Sequence, residues 1–294
     1  MIDTIELTYK LHDNANIDLL YNAINTFVKR ISNKHLYTSP RFKTPYKLRY
    51  ITDAFFPYGI LELAIEKVNF LGVSYNLIAK YKPAQVIYRN DPYALSGPDD
   101  YDRAVSNFND FIDTLNSHMI NQRLPHIELW QVNRLDYAFE IFTPNYEEYL
   151  KLLRKGCYNS KADKHETSVY ITGRNTNMNF YDKTVELELK DDDRHNIRFE
   201  VQCKRWYLNK LLHEHEWEKN DLYHLWDKNI AINIVMNKIQ QLIGTGDFYT
   251  LASAEFKLKD NFNKKKAAQL LDLLKISLYP KARRPWLPEI YSRH

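Results

Sequence analysis

Apolar and polar residues alternate along three segments of the chain, with the two-residue period of a β-strand whose two faces differ. The segments are RLDYAFEIF (134–142), NMNFYDKT (177–184) and IRFEVQCK (197–204). In each, one face is apolar and suits a core. The opposite faces carry Arg134, Asp136 and Glu140; Asn177, Asn179, Tyr181 and Lys183; and Arg198, Glu200, Gln202 and Lys204. The pattern therefore predicts three strands, each with a core face and a polar face.

Further strands and helices are predicted from hydrophobic period and from turn and cap residues. Strands are expected at 3–11, 59–67, 73–80, 131–142, 167–172, 178–186 and 197–204. Helices are expected at 18–29, 101–117, 206–217, 222–243 and 264–278, and a further one opens with Thr143-Pro144-Asn145 and closes before Gly156. We expect an α+β fold. Its central, mostly antiparallel sheet has helices on one face, and a helical C-terminal region follows from about Trp206.

Composition excludes several classes of protein. The 294 residues carry a net charge of +4 and are 44% hydrophobic, which is typical of a globular chain and excludes general disorder. Seven glycines and the absence of a G-x-G-x-x-G or Walker run argue against a nucleotide-binding fold, and two cysteines cannot form a disulfide framework. Because no apolar run approaches the length of a membrane span and no signal-peptide pattern opens the chain, we expect a cytoplasmic protein without membrane partners.

The polar faces of the three strands suggest catalysis if the strands pair in one sheet. Grouped carboxylates suit Mg²⁺ or Mn²⁺, and a tyrosine beside them is a candidate nucleophile for a phosphodiester. Because the ordinary pKa of a phenol is near 10, Tyr181 needs a proton acceptor or a cation such as Lys183. The alternative is a one-sided sheet with a merely solvated outer face.

A basic and aromatic stretch suggests a path for nucleic acid. Residues 28–52 contain seven Lys or Arg residues and no Asp or Glu, interleaved with four aromatic residues. Such a mixture suits a phosphate backbone with unpaired bases. We expect Arg41, Lys43 and Lys47 to contact DNA. The basic tail at 257–294 fits either DNA binding or a solvated surface.

An ordered set of motifs resembles a known family. The set comprises the MID opening, KYKPAQVI (80–87), NRLDYAF with the following Pro144-Asn145, ETSVYI with NFYDKTVELE, and IRFEVQCKRWYLNKL. It is similar to the rolling-circle replication initiators of filamentous phages, the gene II type of nicking-closing endonucleases, and more distantly to plasmid rolling-circle initiators. The resemblance covers roughly the whole chain, although the C-terminus is shorter than in the phage proteins.

The resemblance implies that a tyrosine cleaves one strand at a replication origin and forms a 5′-phosphotyrosine link. It implies Tyr181 as nucleophile, Lys183 as its cationic neighbour and Asp136 and Glu200 as ligands of Mg²⁺ or Mn²⁺. Arg134 and Arg198 match as phosphate contacts or charge partners. Glu140 and Gln202 are added as metal ligands from the alternation alone.

The predicted elements suggest a domain division, and the resemblance implies partners. Residues 1–205 would form the nuclease domain and residues 206–294 a helical region packed on it. The substrate would be single-stranded or hairpin origin DNA, and the partners would be the host helicase, polymerase and single-strand binding protein of a bacterial cell. The alternative function is a non-catalytic origin-binding or copy-control protein.

Some residues are weaker candidates. His213 and His215 lie in a predicted helix, where residues two apart point in different directions, so a metal role is not expected. Tyr170 and Tyr207 are alternative nucleophiles, although packing or stacking explains each more simply.

Overall fold

A computed structural model describes residues 1–11, 17–31, 47–51, 53–69, 73–89, 91–119, 123–156, 162–188, 195–218, 221–243 and 251–278. The strands in this part of the chain are β1 (Ile2–Leu11), β2 (Lys47–Tyr50), β3 (Ile60–Asn69), β4 (Val73–Tyr81), β5 (Gln131–Thr143), β6 (Ala162–Lys164), β7 (Ser168–Thr172), β8 (Thr176–Asp182) and β9 (His195–Lys204). They form one sheet in the order β2-β3-β4-β1-β5-β9-β8-β7-β6, and every pair is antiparallel.

Among the described residues, some helices lie between the strands along the chain, and the last five follow the final strand. They are α1 (Ile17–Ile31), α2 (Pro83–Ile87), α3 (Tyr101–Asn116), α4 (Tyr146–Gly156), α5 (Lys183–Glu186), α6 (Arg205–Glu214), α7 (Leu222–Leu225), α8 (Lys228–Ile243), α9 (Leu251–Asn261) and α10 (Lys264–Leu278). The predicted fold class is therefore confirmed: an α+β chain with an antiparallel sheet and a helical C-terminal region. None of the helices described is long and apolar enough to span a membrane.

The core lies against one face of the sheet. Leu135, Val201 and Cys203 are fully buried there, as the alternation predicts. On the same face, the hydroxyl of Tyr81 donates to the carbonyl of Ala104 in α3, and the hydroxyl of Tyr137 donates to the carbonyl of Leu225 in α7. The sheet is thus amphipathic, and its opposite face is left for polar groups.

One predicted strand ends early. The strand expected at 178–186 stops at Asp182, which is buried and accepts hydrogen bonds from the backbone N–H groups of Thr184 and Val185 at 3.0 and 3.3 Å. This is an N-cap, and it starts α5 at Lys183. The sequence analysis placed Lys183 in the polar row of this strand. In the structure Lys183 begins α5 and does not continue that row.

The helix predicted at 222–243 is interrupted in a similar way. The side chain of Asp227 accepts from the N–H groups of Asn229 and Ile230 at 2.7 and 3.1 Å, which caps α8 and separates it from α7. Strands β2 and β6 and helices α2 and α9 were not predicted. Strand β6 has three residues and α2 has five, too few to show a period.

Candidate active site

The register of β5, β9 and β8 brings the three polar rows onto one surface. Asp136 lies opposite Gln202, Glu200 lies opposite Asn179, and Tyr181 lies opposite Arg198. Residues opposite each other in an antiparallel pair share a face of the sheet. The convergence inferred from alternation is therefore present in the structure.

Tyr181 contacts Glu200 directly. Its hydroxyl donates a hydrogen bond to Oε2 of Glu200 at 3.2 Å, while Oε1 accepts from the amides of Asn179 at 3.0 Å and Gln202 at 2.8 Å. Glu200 is only 5% exposed, and these three donors hold its carboxylate in one place. The phenol and the carboxylate form a pair suited to proton transfer.

Burial dominates the ionisation of this pair. It raises the pKa of Tyr181 well above its ordinary value, and the charge of Glu200 raises it further. Burial also raises the pKa of Glu200, as does the nearby charge of Asp3, against the lowering effect of its three hydrogen bonds. The phenol is therefore protonated at neutral pH, and Glu200 is a stronger base than an ordinary carboxylate.

Arg134 neutralises Asp136. Its Nε and Nη2 donate to Oδ1 and Oδ2 of Asp136 at 2.9 and 3.0 Å, in a bidentate pair. The side chain of Asp136 is 2% exposed and that of Arg134 is 22% exposed. Burial raises the pKa of Asp136 well above the usual range, and the charges of Glu200 and Asp3 add to this effect, while Arg134 opposes it.

Asp3 was missed by the sequence analysis. Ile2 pairs with Tyr137 and Thr4 with Asp136, so Asp3 is the extra residue of a bulge in β1. Its Oδ1 accepts from Nη1 of Arg198 at 2.7 Å and lies 3.4 Å from Nζ of Lys82. Burial acts to raise the pKa of Asp3, but the charges of Lys82 and Arg198 hold it below the ordinary value. A strand pattern alone does not reveal a bulge.

Arg198 is enclosed by its partners. Its side chain is fully buried and donates to Asp3, to Oε1 of Glu140 at 2.6 Å through Nε, and to the carbonyl of Tyr93 at 2.8 Å. Of the two roles expected for Arg198, this geometry fits a charge partner, because a buried guanidinium cannot reach a phosphate without leaving these acceptors.

Glu140 and Gln202 are also occupied. Glu140 accepts from Arg198 and, through Oε2, from the amide of Asn196 at 2.8 Å. Gln202 bridges Glu200 and Asn177, whose amide donates to its Oε1 at 3.1 Å. Both residues lie on the predicted face, but the structure uses them to hold neighbouring side chains, which does not favour the metal role expected for them.

Lys183 is nearly buried and lies near the nucleophile candidate. Its Nζ is 5.7 Å from the centroid of the Tyr181 ring and pairs with Glu186 at 2.5 Å. A cation at this distance from the ring contributes a favourable electrostatic contact. Lys183 is thus the expected cationic neighbour of Tyr181, although it reaches that place from the start of α5.

The remaining candidates are spread over other elements or lie outside the described residues. Arg41 and Lys43 are outside the described residues, and Lys47 begins β2 with its side chain not described. His213 is in the last turn of α6, as expected, but His215 is the C-cap and lies just beyond that helix. Tyr170 lies opposite Asn179 on the polar face and is 38% exposed.

The carboxylates of this face do not fit the predicted Mg²⁺ or Mn²⁺ ion as they are arranged. Throughout the part of the chain that the structure describes, no group of three or more His, Cys, Asp or Glu side chains is placed to hold a metal ion. Both oxygens of Asp136 accept from Arg134, and both oxygens of Glu200 accept from other side chains. A hard cation with about six oxygen ligands would have to displace these donors.

Comparison with known proteins gives one distant likeness. No protein-family model matches the chain, and no curated protein matches it. Among solved structures, the chain is similar to the rolling circle replication initiator protein from Geobacillus stearothermophilus. The identity is 12%, the TM-score is 0.39, and the likeness covers 93% of this chain and 95% of that chain. A likeness of this degree does not establish a function, which has to be argued from the residues of this chain.

Proposed function

We propose that this chain is a DNA strand-nicking and strand-closing enzyme that initiates rolling-circle replication, with Tyr181 as its nucleophile. The observation that carries the proposal is the hydrogen bond from the Tyr181 hydroxyl to the buried carboxylate of Glu200. The ordered motifs that resemble phage and plasmid initiators support it, since Tyr181 and Glu200 both lie within them. The substrate would be single-stranded or hairpin origin DNA.

Glu200 acts as the general base in this proposal. As the Tyr181 oxygen attacks, its proton passes to Oε2 of Glu200, which already accepts the hydrogen bond at 3.2 Å. The raised pKa of Glu200 favours this transfer, because a more basic carboxylate accepts a proton more readily. Without such an acceptor the phenol would stay protonated, since its own pKa is raised by burial.

The attack forms a bond between the phenolic oxygen and phosphorus and breaks the bond from phosphorus to the 3′-oxygen. The DNA is left with a 5′-phosphotyrosine link and a free 3′-hydroxyl, which takes up a proton from Glu200 or from water. One phosphodiester replaces another, so no energy source is needed. Attack by a 3′-hydroxyl on the link reverses the step and closes a strand.

Two cations are placed to offset the negative charge of the face. Arg134 has part of its guanidinium exposed while it pairs with Asp136, and the ammonium of Lys183 lies beside the Tyr181 ring. A phosphate that enters near Tyr181 meets carboxylates as well, and like charges oppose its binding. We propose that Arg134 turns part of its hydrogen bonding toward the scissile phosphate.

A covalent adduct tests the proposal. Single-stranded origin DNA is labelled in the part that lies 3′ of the cleavage site, because that part keeps the 5′-phosphate and becomes attached to the tyrosine. It is incubated with the protein in Mg²⁺, in Mn²⁺ and in a chelator. An adduct that survives SDS and is absent with Tyr181→Phe supports the tyrosine mechanism. Specific binding without any adduct in all three conditions would point to the alternative, a non-catalytic origin-binding or copy-control protein.

A further inference from the structure

An aromatic cavity lies in the helical half of the chain, between the start of α3 and helices α7 and α8. Its volume is about 270 Å³, and its lining includes Tyr101, Trp217, Tyr223, Trp226 and Asp227. None of these residues belongs to the polar face of the sheet, so the cavity is a second feature that the nicking reaction does not use.

Tyr101 stands nearly at right angles to two other rings of the cavity. Tyr101 contacts Tyr223 edge to face, with centroids 5.2 Å apart and planes at 84°, and it contacts Trp226 at 5.6 Å and 80°. Trp226 is buried and donates its indole N–H to the carbonyl of Gly97, which fixes that wall. Tyr223 is 64% exposed and forms an outer wall.

A stack of rings closes another side. The rings of His215 and His224 lie parallel to Trp217, at centroid distances of 4.4 and 4.6 Å. His224 is itself paired with Asp221, whose Oδ2 is 2.5 Å from Nδ1. Perpendicular and stacked aromatic walls around a small space form the kind of cage that recognises cations through ring quadrupoles.

Acidic groups surround this cage. Asp227 is part of the lining, and the charges of Glu128, Asp221 and Asp102 act on Tyr101, whose pKa is raised first by burial and then by these three carboxylates. The surroundings are therefore unfavourable for a phosphate and favourable for a positive group. Stacking of a DNA base on these rings would bring its phosphates close to the same carboxylates.

The size of the cavity limits its occupant. Pockets for drug-sized ligands usually have volumes of about 300–1,000 Å³, so a space of this volume suits one long side chain better than a whole cofactor. A lysine or arginine side chain has an apolar stem that packs on rings and a charged end that pairs with carboxylates.

We propose that this cavity binds the ammonium or guanidinium group of a basic side chain on a partner protein. The aromatic walls hold the cation and its stem, and Asp227 is the lining carboxylate that pairs with it. This binding site is independent of the nicking reaction. A failure of either proposal leaves the other unaffected.

Matched peptides test charge recognition at the cavity. Acetyl-Gly-Arg-Gly-amide is compared with the same peptide carrying citrulline, which has the shape of arginine without its charge, and a lysine peptide is compared with its norleucine analogue. The full chain is labelled with 5-fluorotryptophan, and its five tryptophan signals are assigned with single Trp→Phe variants. We expect the Trp217 and Trp226 signals to move when a charged peptide is added. The protein should bind each charged peptide at least about threefold more tightly than its neutral analogue.

Two variants locate the effect. Asp227→Asn keeps a side-chain oxygen that caps α8 and removes the charge, so the preference for the charged peptides should fall while the thermal midpoint stays nearly constant. Tyr223→Ala removes an exposed wall and should weaken both charged peptides. Asp260→Asn, an exposed carboxylate in α9, is the control and should change neither.

Several outcomes would overturn the proposal. Equal binding of charged and neutral peptides would show an apolar pocket without cation recognition. No movement of the Trp217 and Trp226 signals with any peptide would show that the cage is only structural. If the Trp217 and Trp226 signals move with oligothymidylate but with no peptide, the rings bind DNA. The same conclusion follows if these signals move with oligothymidylate and both variants keep the peptide selectivity of the wild type.

Discussion

Tyr181 and Glu200 are diagonal neighbours on β8 and β9, and their side chains meet across 3.2 Å. The two positions are set by the sheet register, because Glu200 pairs with Asn179, two residues before Tyr181. Two extended strands thus hold both groups. This rigidity favours a proton transfer in a fixed geometry.

The first prediction concerns Tyr181→Phe. The substitution removes the attacking oxygen and keeps the ring, so the covalent adduct should disappear while DNA affinity changes less than about twofold. Adduct is measured by SDS gel and affinity by fluorescence anisotropy. Tyr170→Phe is the matched control, because Tyr170 lies on the same face in β7. Adduct formation by Tyr181→Phe, with loss in Tyr170→Phe, would move the nucleophile to Tyr170.

The second prediction concerns Glu200 as the general base of the nicking reaction. Glu200→Gln removes the proton acceptor, so nicking should fall by about 10²-fold or more, as is typical when a general base is lost. In the wild type, nicking should decline as the pH falls through the pKa of Glu200, which lies above its usual value. A rate that is flat with pH down to the ordinary pKa of a glutamate would contradict this role.

The same substitution should stabilise the fold at neutral pH. Because the folded pKa of Glu200 is raised, the unfolded chain releases its proton first, and wild-type stability falls as pH rises from about the unfolded value through the folded one. Glu200→Gln does not lose stability in this way, because its side chain does not ionise. Its Tm should therefore exceed that of the wild type only slightly in acid, and by about 2 °C or more at a pH above the folded pKa of Glu200. Glu147→Gln, in the exposed first turn of α4, is the surface control and should not raise Tm in this way.

Alternation was sufficient to predict that Asp136, Tyr181 and Glu200 each lie on the polar face of a strand, because a two-residue period is local and regular. That the three strands pair in one sheet was only a condition of the sequence analysis, since β5 and β9 are far apart along the chain. The pairing of Arg134 with Asp136 also follows from their spacing of two residues in a strand. By contrast, Asp3 joins the site through a bulge, and Arg198 is enclosed by Asp3, Glu140 and the Tyr93 carbonyl from distant parts of the chain. Such long-range contacts depend on packing that no short pattern encodes.

The third prediction concerns the metal. Arg134→Gln frees the oxygens of Asp136 beside Glu200, so the variant should bind Mn²⁺ at least about tenfold more tightly than the wild type. Binding is measured by electron paramagnetic resonance of free Mn²⁺, and the double variant Arg134→Gln with Asp136→Asn should lose the gain. If the wild type already binds Mn²⁺ tightly and Asp136→Asn abolishes that binding, the ion displaces Arg134, and the metal site expected from the sequence is correct.

The fourth prediction concerns the buried charge network. Arg198→Met removes the buried cation that Asp3 and Glu140 share and leaves Asp3 with only Lys82 as an ion-pair partner among the described residues, so the free energy of unfolding should fall by about 3–5 kcal/mol. Urea unfolding measures the change. Adding Asp3→Asn and Glu140→Gln should restore part of the loss. Lys151→Met, which removes the partly exposed partner of the exposed Glu147, should cost less than about 1 kcal/mol.

The last prediction concerns the basic stretch at 28–52, for which DNA contact remains an expectation from the sequence. Replacement of Arg41, Lys43 and Lys47 by Ala removes three positive charges. If all three contact single-stranded DNA, the slope of log affinity against log salt should become shallower by about 2, since each phosphate contact contributes about 0.7. Affinity should fall for every DNA sequence tested, because phosphate contacts carry no base information.

Three lysines of α10 provide the matched control for this experiment. Lys264, Lys265 and Lys266 are exposed, and their replacement by Ala removes the same net charge. General attraction between DNA and a positive protein would lower the affinity equally in both triple variants, because net charge acts over about 10 Å at moderate salt. A larger loss at 41, 43 and 47 than in α10 would place the substrate strand along the basic stretch. Unchanged affinity and an unchanged salt slope in the first variant would show that this stretch is only a solvated surface. An equal loss in both variants would show that the stretch contributes no more to binding than the basic tail does.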